Sequence, residues 1–159
     1  ILRPGNLYGP HDKFDWEKSK VVPALIRKCI ENDKSIEVWG DGKDIKDFLY
    51  IDDFIDALIK IIFDFNDSDI FNVASGSPVT INQIIKNILN IVNKNSLLIN
   101  YDETKPSMIP IRKINIDKIV KNIDWHPSTS MITGLEKTIN WYKNYYKSFS
   151  PEGIKVDNK

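Results

Sequence analysis

Cysteine is nearly absent. Cys29 is the single one in 159 residues, so no intramolecular disulfide can form, and a reducing, cytoplasmic setting is the expectation. Apolar neighbours mark Cys29 as a buried structural thiol rather than a nucleophile. One cysteine and two distant histidines make a poor zinc set, and no metal site is expected. Charge of one sign is also missing. Lys plus Arg number 22 and Asp plus Glu number 22, which argues against a nucleic-acid binder held by bulk positive charge. No apolar run approaches the roughly 20 residues that cross a bilayer, so no membrane span is expected. Finally, no GxGxxG or GxxGxxG occurs, so the chain lacks a glycine-rich dinucleotide phosphate loop. Asn66-Asp67-Ser68 has the form of a glycosylation acceptor; in a chain expected in the cytoplasm it is taken as chance.

What is present is an alternation of short apolar runs and amphipathic stretches. Strands are predicted at 1–4, 36–39, 48–51, 70–73 and 97–101, with a short extended piece at 114–116. Residues 5–18 and 103–112 read as loops. Ser19 is placed to cap a helix running to about residue 32, with Val22, Leu25, Ile26 and Cys29 on one face and Pro23 tolerated in the first turn. Asp52 or Asp53 is expected to cap a helix over 54–65. Thr80-Ile81-Asn82-Gln83 has the form of a capping box opening a helix to about residue 92. Asp117 is expected to cap a brief helix ending before Trp125. Ser130 or Thr133 should start the last helix, which carries Leu135, Ile139, Trp141 and Tyr142. Gly40-Asp41-Gly42 predicts a hairpin turn. The tail after Phe149 is expected to fray. Strand and helix in alternation give an α/β fold.

Three stretches carry candidate chemistry. ILRPGNLYGPHD leaves a strand through a Pro/Gly loop, and ligands of open α/β sheets bind where loops leave the carboxyl ends of strands. Asn6 offers a donor and an acceptor there. The plainer reading is a strand and a turn. SKVVPALIRK puts Lys20, Arg27 and Lys28 on or near a helix that follows the loop. They form either a wet basic face or a set of cations for a phosphate or a sugar-nucleotide diphosphate. EVWGDGKDIKDFLYIDD supplies Trp39, able to stack on a flat ring, and Lys46, able to meet a phosphate. Asp47, Asp52 and Asp53 suggest paired carboxylates, with helix capping the plainer use of the last two. A calcium loop is disfavoured, because Lys43 and Ile45 interrupt the oxygen pattern.

The order and spacing of these stretches resemble the C-terminal half of the NAD(P)-dependent epimerase/dehydratases, the extended short-chain dehydrogenase/reductase family. RPGNLYGP is similar to R-P-x-N-x-Y-G-P. VWGDGKDIKDFLYIDD is similar to G-x-G-x-x-x-R-D-F-x-Y-V-x-D. FNVASGSPVTINQII, TKPSMIPIRKINIDKI and WHPSTSMITGLEKTINWYK follow the family's later segments in order. YGPHDKFDWEKSKVVPALIRK resembles the GDP-L-fucose synthase-like branch most closely. The resemblance covers nearly the whole chain. It implies the late strands of a Rossmann-like parallel sheet plus a small α/β substrate-binding domain over residues 1–149, with a flexible tail at 150–159. It also implies that residue 1 lies in the sixth strand of a cofactor domain. The glycine-rich loop and the Tyr-x-x-x-Lys catalytic pair are then expected ahead of it.

The resemblance assigns roles residue by residue. Pro4, Gly5, Asn6 and Leu7 line the nicotinamide end of NAD or NADP, with Asn6 also near substrate. Lys28 stands where the branch has a basic substrate contact, and Trp39 where it has a Trp beside the guanine nucleotide. Lys46 replaces the Arg that grips the diphosphate, keeping the charge and losing the fork. Arg112 also faces the nucleotide. Lys20 stands where the branch has a catalytic His, within reach of cofactor and substrate. A lysine acting as acid there needs its reference pKa of about 10.4 lowered. Ser107-Met108 departs from the Asp/Thr-Gly common in the family. The implied partner is a nucleotide sugar, with a GDP-sugar favoured, and the implied assembly of the longer protein is a homodimer. A different sugar-nucleotide 4-epimerase, reductase or 4,6-dehydratase stays open, as does a binding module without chemistry.

Overall fold

The computed structural model describes residues 1–105 and 109–146. Its strands are β1 (Leu2–Pro4), β2 (Asn6–Tyr8), β3 (Ser35–Trp39), β4 (Ile45–Lys46), β5 (Phe48–Tyr50), β6 (Phe71–Val73), β7 (Val79–Thr80), β8 (Leu98–Asp102) and β9 (Ile111–Arg112). Its helices are α1 (Val21–Glu31), α2 (Ile51–Asp64), α3 (Ile81–Val92), α4 (Asp117–Ile123) and α5 (Met131–Trp141), the last continued by a π-helical turn at Tyr142–Tyr146. The α/β expectation holds. Pairing is mostly parallel: β1 with β6, β2 with β5, β3 with β8 and β4 with β9, while β4 meets β7 antiparallel.

The three residues of β5 divide the interior. Phe48 and Tyr50 enter a core with Tyr8, Phe14, Ile26, Ile84 and Ile139, whereas Leu49 faces a second core with Phe71, Val73, Ile119 and Trp125. Successive strand residues point to opposite faces, so one short strand can serve both cores. The chain changes partner at Gly5: β1 lies on β6, and β2, one residue later, lies on β5. A Cβ at Gly5 would stand 3.3 Å from both Ala74 Cβ and Ile114 Cδ1, so this switch is tightly packed.

Several local expectations are corrected. β2 lies inside the stretch 5–18 read as a loop, and β9 lies inside 103–112; both are too short to show a period. Residues 114–116 form no strand. The hairpin at Gly40-Asp41-Gly42 does not exist. β3 pairs with β8, and Gly40 N–H donates to Asp102 O at 2.9 Å. Two glycines at φ 75° and 72° turn the chain away toward another sheet. Lys20, not Ser19, occupies the N-cap of α1, without a side-chain bond. α2 begins at Ile51 directly from β5, so Asp52 and Asp53 lie inside its first turn instead of capping it. Asn115 Oδ1, not Asp117, accepts the Asp117 N–H at 2.8 Å before α4. The capping box at Thr80 and Gln83 and the cap at Ser130 are present. Ser107, Met108 and the tail from 150 lie outside the described residues.

Cys29 is fully buried, and that burial pushes its thiol up to about 12 despite the nearby ammonium groups of Lys94 and Lys28. Thiolates are the reactive form. Alkylation by iodoacetamide at pH 8 is therefore expected only after denaturant unfolds the chain, which mass spectrometry reads directly. Gly134 on α5 supports another prediction. A Cβ there would clash with Tyr8 Oη, and Tyr8 is itself buried. Gly134→Ala should lower unfolding stability by about 2 kcal/mol through overpacking, in spite of alanine's better helix propensity. Urea denaturation checks this.

Candidate functional site

The carboxyl end of β1 passes through Gly5 into Asn6, the first residue of β2, and the carboxyl end of parallel β6 releases a loop, Ala74 to Ser77. Gly5 N–H donates to Val73 O at 2.8 Å. Asn6 is fixed twice to one acceptor: its main-chain N–H and its Nδ2 reach Asp47 O at 3.2 and 2.9 Å. Asp47 is fully buried. One of its carboxylate oxygens accepts from Ser75 N–H at 2.8 Å and Ser75 Oγ at 2.7 Å, and the other accepts from Gly76 N–H at 3.1 Å.

Directly before Asp47, Lys46 stands in register with Arg112 across the parallel β4–β9 pair. Register partners share a face of the sheet, so two cations project side by side. The Lys46 ammonium lies 3.1 Å from Asp44 Oδ2 and donates to Ile109 O. Arg112 is exposed.

A second group forms at the end of β3. Trp39 is 63% exposed, and its indole N–H donates to Glu37 Oε1 at 3.1 Å. Lys28 Nζ donates to Glu37 O at 2.7 Å. The Lys105 ammonium lies 5.6 Å above the Trp39 ring. Beside them, the Thr104 hydroxyl donating to Asp102 holds that carboxyl below its usual range. The segment after β8 therefore touches both groups, through Lys105 at Trp39 and through Ile109 at Lys46.

The sequence-derived set is thus brought together in part. Lys46 with Arg112 form one neighbourhood, Lys28 with Trp39 another, and Gly5 with Asn6 adjoin the first through Asp47. Pro4 and Leu7 flank that junction on β1 and β2. Lys20 is exposed at the start of α1 and makes no side-chain capping bond there. Arg27 is corrected: it is buried, with its guanidinium on Phe14 O at 2.6 Å, Glu31 at 3.1 Å and the Trp16 ring at 4.4 Å, so it holds the fold together. Asp47, Asp52 and Asp53 are not paired carboxylates. Asp47 clamps the loop at Ser75. Asp53 clamps Ser128 and Thr129 through four bonds of 3.0–3.1 Å. The available signal was Ser-Gly-Ser after a strand and Ser-Thr before a helix, each rich in donors that want a carboxylate. Tyr101 and Lys105 have Tyr-x-x-x-Lys spacing, but that spacing unites side chains only on a helix. Tyr101 lies on β8 with its hydroxyl 2.7 Å from Asn82 Oδ1, whereas Lys105 covers Trp39.

Comparison with known proteins matches residues 1–74 to the description "NAD dependent epimerase/dehydratase family". Over those residues the chain is similar to that family. The GDP-L-fucose synthase of Sinorhizobium fredii is 34% identical over 139 residues, covering 85% of this chain and 44% of its own length. The GDP-L-fucose synthetase of Naegleria fowleri bound to NADP has the same fold, with TM-score 0.85 at 23% identity, over 91% of this chain and 46% of that one. The UDP-glucuronic acid 4-epimerase of Bacillus cereus, in complex with UDP-glucuronic acid and NAD, superposes with TM-score 0.79 at 26% identity, over 90% of this chain and 44% of that one. The chain spans less than half the length of the curated relatives it matches. No helix among the described residues is long and apolar enough to cross a membrane.

Proposed function

We propose that residues 1–149 form the sugar-nucleotide-binding part of an NAD(P)-dependent nucleotide-sugar epimerase/reductase, with GDP-L-fucose synthase chemistry (epimerisation and reduction of GDP-4-keto-6-deoxymannose) as the leading assignment. The observation that carries this reading is the register of Lys46 with Arg112. Two adjacent cations match the two phosphates of a diphosphate bridge, and Arg can add a forked contact. Trp39 supplies an exposed flat face for a base, and Lys28 and Lys105 lie beside it. Lys20 is assigned the substrate end, as a proton donor or as a further contact to cofactor or sugar.

For the cofactor, residues 4–7 offer backbone and a short amide at the carboxyl end of β1. That suits one end of a dinucleotide, and the sequence has no GxGxxG motif for its phosphates. Pro4, Gly5, Asn6 and Leu7 would border the nicotinamide, which supplies or accepts the hydride when bound. The two-stranded β1–β6 sheet and the exposed apolar side chains of Ile55, Ile59, Ile62 and Phe63 on α2 support a place against a larger sheet in the longer protein. A homodimer of that protein belongs to the same proposal.

The test is calorimetry of the full-length protein with GDP-, UDP- and dTDP-sugars, alongside Trp39→Ala. Preference for the GDP-sugar, weakened by Trp39→Ala, supports the assignment. Preference for a UDP-sugar moves it to a 4-epimerase like the Bacillus cereus relative. No binding of any nucleotide sugar would sink it.

A further inference from the structure

We infer that Asp47 is a positioning residue that sets the orientation of Asn6 at the reacting end of the site. Three segments meet at it: the β1–β2 switch, the β4–β5 junction that contains it, and the loop after β6. Its carboxylate is spent entirely on the loop, with three donors from Ser75 and Gly76. Its carbonyl is what holds Asn6, through both the main-chain N–H and the side-chain amide. The two ends of one residue thus make a relay. The loop pins the carboxylate, the pinned side chain fixes the Asp47 peptide, and that peptide fixes the Asn6 amide. With Nδ2 committed to Asp47 O, the Asn6 side-chain oxygen is left as the group to face a ligand.

The loop side of the relay is equally tight. Ser75 Oγ also accepts the Ser77 N–H at 3.1 Å, and Gly76 sits at φ 66° with Ile116 Cδ1 2.9 Å from where a Cβ would be. Such a seat holds one conformation. A fully buried carboxylate held by three donors is directional, because each bond has a preferred geometry. It is well suited to fixing one geometry, and here it does so one residue from Lys46 and at the carboxyl ends of β1 and β6, where ligands of such sheets bind.

This inference rests on the reading of Asn6 proposed above, and the experiment separates the two. Steady-state turnover is measured on the full-length protein with GDP-4-keto-6-deoxymannose and NADPH, for Asn6→Ala, Asp47→Asn and the double variant. Asp47→Asn keeps the carbonyl and turns one acceptor into a donor facing donors. Expected is a fall in kcat of about 10- to 100-fold for each single variant, since a shift of about an ångström costs that much, with KM for the sugar nucleotide moved far less. The double variant should be little worse than Asn6→Ala, the non-additivity of residues that act as a unit. If the two losses multiply, Asp47 does not act through Asn6 and this inference fails while the site assignment stands. If Asn6→Ala leaves kcat intact, the reading of Asn6 fails and takes the inference with it. Should Asp47→Asn not fold, Ser75→Ala removes one bond from the relay and the same coupling with Asn6→Ala is measured.

Discussion

Asp53→Ala is expected to destabilise the chain by about 3–4 kcal/mol, because it strips a buried acceptor from four donors at once. Asp53 is 4% exposed and takes the N–H and hydroxyl groups of both Ser128 and Thr129. These residues directly precede Ser130, whose hydroxyl caps α5 at the Thr133 N–H. The bonds therefore tie the first turn of α2 to the entry of α5, across a sequence separation of 75 residues. Removing the carboxylate leaves two main-chain donors without an acceptor and loosens the approach of a helix that fills the first core. Asp52, one residue earlier and exposed, is the control: Asp52→Ala should stay within about 0.5 kcal/mol. Ser128→Ala should fall between them, at about 1 kcal/mol. Urea unfolding reads all three as midpoint shifts at unchanged slope. Equal shifts for the two aspartates would show that the clamp contributes nothing.

The second large effect concerns ligand affinity. Lys46→Ala and Arg112→Ala should each weaken binding of a nucleoside diphosphate sugar by about 10- to 100-fold, the range for losing a charge-assisted hydrogen bond. The two effects should be matched in kind, because the register places the residues side by side. Lys46→Arg carries the opposite sign. Arg adds a planar fork to the same charge, so it should hold or tighten binding, provided the guanidinium can leave Asp44 and Ile109 as the ammonium must. Higher salt should weaken the wild type more than Lys46→Ala, since a screened charge pair is lost in the first and already absent in the second. Calorimetry at two ionic strengths checks both statements. Equal salt dependence in the two proteins would remove Lys46 from the phosphate contact.

Much of the fold was legible because its longer elements follow their periods. The buried face of α1, the capping box of α3 and the serine cap of α5 were all visible in residue order. Four of the short strands were not. β2, β4, β7 and β9 have only two or three residues each, too few for any alternation, and every parallel pair joins segments far apart in the chain. The false hairpin at Gly40-Asp41-Gly42 shows the limit of local turn chemistry. Asp-Gly with positive φ was read correctly as a sharp turn, but what the turn leads to is decided by the pairing of β3 with β8. The acidic residues show the same limit. A carboxylate near a helix start looks like a cap, and only the tertiary structure reveals that Asp53 serves a loop 75 residues away. Lys46 and Arg112 were identified separately by resemblance; that they are neighbours is a fact of register alone.

The most direct measurement is a crystal structure of the full-length protein with a GDP-sugar bound. The account predicts the diphosphate between Lys46 and Arg112, the Lys46 ammonium withdrawn from Ile109 O, and the base against Trp39 with Lys105 moved off the ring. A sugar nucleotide bound elsewhere, with Lys46 still on Ile109 O and Lys105 still over Trp39, would contradict it.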